Sequence, residues 1–158
     1  MSQILIALSF WMHSLATVIF IGHYLLLSLI YLPALSKQES LDSTGALLSA
    51  FSKRSRSWLY ASLLIFLITG TYLTFVDPNY MGIGNFSNSW AILMLIKHIL
   101  ILGMVGMGFW FNAILRVGPL MGSNRGTDQA LIRFRQYSNL MAITGTLVLL
   151  LTAISQVQ

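Results

Sequence analysis

Four side chains combine ligand or proton chemistry with a place inside apolar sequence: His13, His23, Lys97 and His98. Burying an ionisable group in a membrane-length run is costly, so each is a functional candidate by default. Neutral imidazole is the commonest metal ligand among side chains, and two imidazoles on opposite faces of a porphyrin make a b-type haem centre. For each histidine taken alone, the plainer alternative is a hydrogen-bonded packing residue or one near an interface. Lys97 either snorkels to the surface, pairs with an acidic group such as a haem propionate, or takes part in proton transfer.

Depth singles out one pair. His13 lies nine residues after Ile4, and His98 lies eight after Trp90. At a rise of 1.5 Å per residue both sit about 12–14 Å inside their helices. Helices one and three run in the same direction and are diagonal neighbours in an up-down-up-down bundle. His13 and His98 are therefore the expected axial ligands of haem b held between those helices, with Lys97 steering a propionate. His23 follows His13 by ten residues, which puts it about 15 Å deeper and about 80° around the helix. It is expected either as a ligand of a second metal or as a hydrogen-bonding or proton-relay residue. Imidazole and thioether also suit Cu(I), so a copper path through His13, His23, Met94, Met104 and Met107 is the alternative cargo. Methionine at helical spacing is otherwise core filler. Gly22, Gly70, Gly103, Gly106 and Gly108 allow either close helix packing or room for a porphyrin face. Tyr80, Met81 and Phe86 are placed to cover a site near the two histidines.

The elements that must hold these residues are unambiguous in type. Charged residues make up 8% of 158 and hydrophobic ones 56%, with a mean hydropathy of +0.77; ordinary soluble domains carry about 25% charge. Such a chain cannot cover its surface with polar groups. Apolar runs span about 4–35, 58–76, 90–115 and 137–154, each long enough to cross a hydrocarbon core of about 30 Å. The expected fold is all-α: one integral membrane four-helix up-down-up-down bundle over 1–158. The first run, about 48 Å as a helix, must tilt or protrude.

The net charge of +5 does not indicate nucleic acid, because the cations cluster at the ends of apolar runs, with no aromatics interleaved among them in a polar stretch. Connections 36–57 and 116–136 carry Lys37, Lys53, Arg54, Arg56, Arg116, Arg125, Arg133 and Arg135, and connection 77–89 carries none. The positive-inside rule puts both termini outside an inner (plasma) membrane and the basic connections in the cytoplasm. The absence of cysteine excludes disulfides, cysteine-ligated clusters, c-type haem and thiol catalysis. The N-terminal run lacks a basic n-region and is about twice too long for a signal-peptide core. Asp77-Pro78-Asn79 reads as a turn, Ser87-Asn88-Ser89 as a cap for helix three, and Gly118-Pro119 as its stop. Thr127 or Asp128 is expected to cap an extension of helix four. Leu41, Leu47, Leu48 and Phe51 suggest a short amphipathic surface helix.

Several short motifs resemble the copper resistance protein D (CopD-like) superfamily, which includes the HemJ-type protoporphyrinogen oxidases. They are Trp11-Met12-His13 with Tyr31-Leu32-Pro33 in helix one, and Leu95-Ile96-Lys97-His98 with Phe111-Asn112-Ala113-Ile114-Leu115-Arg116 in helix three. A further one, Arg133-Phe134-Arg135-Gln136-Tyr137-Ser138-Asn139, leads into helix four. The resemblance implies a four-helix core associated with haem or copper, and a functional pair made of His13 and Lys97. HemJ-like chains continue Tyr-Leu-Pro with Arg and a nearby His, where this one has Ala34-Leu35. His98, directly after the lysine, supplies a second imidazole and favours a cytochrome.

The functional expectation is a b-type haem protein of electron transfer, a carrier or redox subunit more than a stand-alone enzyme. Its partner would be quinol or a membrane redox complex, with lateral homo- or hetero-oligomers allowed. Copper transport or resistance, protoporphyrinogen oxidation, and an accessory role in a larger membrane redox complex are the alternatives.

Overall fold

Inside a bilayer no water satisfies backbone N–H and C=O groups, so a chain of this composition must satisfy them within helices. The computed structural model describes residues 3–35, 41–114 and 127–157, and helix is the only regular structure among them. α1 (Gln3–Leu26) passes through a π-helical turn (Leu27–Tyr31) into the short α2 (Leu32–Leu35), and together they form the first rod. α3 (Leu41–Val76), α4 (Ser89–Ile114) and α5 (Thr127–Ser155) are the other three. Four stretches within them, Gln3–Ala34, Lys53–Val76, Ser89–Trp110 and Ile132–Ser155, are each long and apolar enough to cross a membrane. The chain is a multi-pass membrane protein folded as a four-helix bundle.

The bundle is apolar on the outside. Ile4, Val18, Leu29, Trp58, Leu102 and Trp110 are all exposed, as lipid-facing positions must be. The core is thin and formed by Ala16, Phe20, Phe66, Ile101, Met104, Met141 and Val148. α1 packs on α3 and on α5, and α5 packs on α4. The first rod and α4 thus stand diagonally across the bundle. α3 and α4 are joined by the 77–88 connection but are not among the closely packed pairs.

Two boundaries differ from the sequence expectation, both at the basic end. α3 begins at Leu41, not Trp58, so the expected separate surface helix is the first part of one continuous rod about 54 Å long. α5 begins at Thr127, so the fourth helix also starts well outside its apolar span. Helix continues through polar sequence once propagation adds one hydrogen bond per residue, and no Pro or Gly stops it near either span. The expected stop at Gly118-Pro119, together with Lys37, Arg116 and Arg125, lies outside the described residues.

Pro33 accounts for the π-turn. It has no N–H to give, and its ring crowds the carbonyl four residues back. The strand of helix before it widens, and Leu32 N–H reaches Leu27 O instead of the usual i−4 carbonyl. The wider turn aims Ser28 at α5, where its hydroxyl donates to Asn139 Oδ1 at 2.6 Å. At the other end, Asp77 closes the expected turn with Tyr80 N–H to Asp77 O at 3.0 Å and Asn79 N–H to Asp77 Oδ1 at 2.9 Å. Asn88 caps α4 by accepting Ala91 N–H at 2.8 Å.

Candidate site: two tautomer-locked histidines and a roofed cavity

His13 is held by α3. Its ring stacks on Phe66 with centroids 4.5 Å apart, and its Nδ1 lies 3.0 Å from Thr69 Oγ1. Gly70 faces the same ring so closely that a Cβ there would sit 3.0 Å from His13 Cε1. Phe66, Thr69 and Gly70 are spaced i, i+3, i+4 and therefore share one helix face, which clamps the imidazole against α3.

The hydrogen bonds fix its tautomer. Thr69 has one hydroxyl proton, and it goes to Ile65 O at 2.6 Å. The oxygen meets His13 Nδ1 with a lone pair, so Nδ1 carries the proton and Nε2 does not. His98 reaches the same state differently. Its Nδ1 lies 2.6 Å from Met94 O, and a carbonyl only accepts, so in the neutral ring Nε2 is again the nitrogen with the lone pair. A ring N–H tied to a carbonyl or hydroxyl, with the other nitrogen left unprotonated, is the usual support of a metal-ligating histidine.

His13 is tied to Thr69, seven residues from the end of α3, while His98 is nine residues into α4. Lys97 is partly buried. His23 stands apart, about 15 Å further along α1. Its ring meets Tyr24 edge-on at 5.2 Å, and Tyr24 hydroxyl lies 3.2 Å from that of Tyr137. Among the described residues no three His, Cys, Asp or Glu side chains converge as a metal cage.

His98, unlike His13, lines a cavity of about 370 Å³ between α3, α4 and the 77–88 connection. Thr74, Phe75, Trp90 and Met94 form its walls, and Tyr80, Met81 and Phe86 roof it. The roof turns at Gly82 (φ 103°) and Gly84 (φ 83°), conformations that residues with a Cβ rarely adopt. Asn88 Nδ2 ties it down by donating to Asn79 O at 3.0 Å.

Gly70 is legible in the sequence only as packing or porphyrin room, and Phe66 and Thr69 only through their i, i+3, i+4 spacing with it inside an apolar run. Of the glycines named from sequence, Gly22, Gly103 and Gly106 face open space and Gly70 faces His13, whereas Gly145, not named there, is tighter still: a Cβ at that position would meet Ile21 Cγ2 at 2.8 Å. Comparison with protein-family models, with curated proteins and with solved structures finds no match for this chain.

Proposed function

We propose that this protein binds haem b within the membrane through His13 and His98 and passes electrons, with Lys97 as the cation beside a propionate. The observation that carries the reading is the tautomer shared by the two histidines, each with Nδ1–H engaged and Nε2 unprotonated. Two protein ligands are what a porphyrin-bound iron needs, since the ring supplies the other four. The copper path is weaker on packing grounds, because Met104 is 1% exposed and fills the core. Two imidazoles and a chain without intramembrane carboxylate suit a closed electron carrier better than proton-abstracting catalysis. The basic ends of α3 and α5, with Lys53, Arg54, Arg56, Arg133 and Arg135, face the cytoplasm in this reading, and the histidines lie in the outer half of an inner membrane.

The test is a dithionite-reduced minus oxidised spectrum of the detergent-purified protein, with haem quantified per chain. A sharp low-spin α-band at about one haem per chain, lost in His13→Ala and in His98→Ala, is the expected result. A colourless protein from haem-replete cells refutes the reading and moves copper handling forward.

A further inference from the structure

The cavity beside His98 has a composition that selects its occupant. Its lining contains no Asp, Glu, Lys or Arg, so nothing there offsets a formal charge on a ligand. Its walls include the rings of Phe75, Tyr80 and Trp90, surfaces on which a flat ring stacks well. At about 370 Å³ it falls at the lower end of small-molecule sites, which run from about 300 to 1,000 Å³.

Two polar groups give it direction. Thr74 spends its proton on Gly70 O at 2.8 Å and is left with acceptor lone pairs. Asn85 Oδ1 accepts Ser87 N–H at 3.1 Å, which leaves its amide N–H groups as donors. A lone-pair acceptor and an amide donor together match a hydroxyl, which both gives and receives a hydrogen bond. The roof is uncharged and turns apolar side chains outward, with Ile83 90% and Met81 62% exposed, and α3 and α4 pack loosely beneath it.

We propose that this cavity is a binding site for the hydroxylated ring of a membrane-soluble quinol, entered laterally between α3 and α4. Its occupancy can be read with or without haem, while its use as an electron donor rests on the haem reading above. Haem held by His13 and His98 would supply a one-electron acceptor, and two such transfers would oxidise one quinol to quinone with release of two protons.

Trp90, 5% exposed, lines the cavity, whereas Trp11, Trp58 and Trp110 are each more than 60% exposed. Replacing those three by Phe leaves Trp90 as the sole indole reporter. The probe is a decyl-substituted dibromohydroquinone, whose bromines quench indole fluorescence, titrated anaerobically beside its dimethyl ether. Saturable quenching by the quinol and only linear quenching by the ether is the expected result. Ala91→Phe, which fills the cavity from α4, should raise half-saturation at least tenfold, and Thr74→Val by about three- to tenfold. Linear quenching by the quinol, or saturation unchanged in both variants, overturns the proposal. Should Ala91→Phe not fold, Thr74→Val and the ether still decide it. Saturable quenching in a protein that binds no haem keeps the site and removes the haem reading. A haem-loaded protein with linear quenching does the reverse.

Discussion

His13 Nδ1 and Thr69 Oγ1 meet at 3.0 Å across the α1–α3 interface, and because Thr69 gives its own proton to Ile65 O, this contact decides which nitrogen of His13 is left to bind. Thr69→Val keeps the shape and removes the acceptor. Haem affinity is expected to fall about 10–100-fold, the usual effect of losing the partner behind a ligating histidine. Thr69→Ser should retain it, and haem retained per chain after dilution measures both.

Gly145 lets α5 approach α1, and a methyl there would lie 2.8 Å from Ile21 Cγ2. Gly145→Ala should destabilise the bundle by about 1–3 kcal/mol, as overpacking does. Ile21→Ala should relieve the clash in the double variant, so unfolding of the two singles and the double will be non-additive.

Ser138 is fully buried, and its hydroxyl has no partner among the described residues. An orphaned hydroxyl costs about 1–3 kcal/mol. Ser138→Ala is therefore expected to stabilise the protein by about 1 kcal/mol in a reversible unfolding titration, and a loss of similar size would mean that the hydroxyl is partnered.

Ser28 and Asn139 join the π-turn to α5 at 2.6 Å. Ser28→Ala should cost only about 0.6 kcal/mol, the average for hydrogen bonds between membrane helices. The same unfolding titration reads it.

Asn88 holds α4 and the roof at once, accepting Ala91 N–H and donating to Asn79 O. Asn88→Ala should cost about 1 kcal/mol as a lost cap. It should also loosen residues 79–88, seen as faster proteolysis at that connection, while Asn88→Asp keeps the cap and loses only the tie.

Composition and run length alone determined that this chain is an all-α membrane bundle, because about 20 apolar residues in a bilayer leave the backbone no other way to satisfy itself. The turn at Asp77 and the cap at Asn88 were legible for a similar reason: each is closed by atoms within three residues of one another. Where α3 and α5 begin was not legible, since helical propagation carried both beyond their apolar spans. Which way each imidazole turns lay further out of reach. His13 is fixed by a threonine 56 residues away, and the cavity at His98 exists because α3 and α4 stay apart while an intervening loop covers them. Residues far apart in sequence impose those constraints, and only the packed helices bring them together.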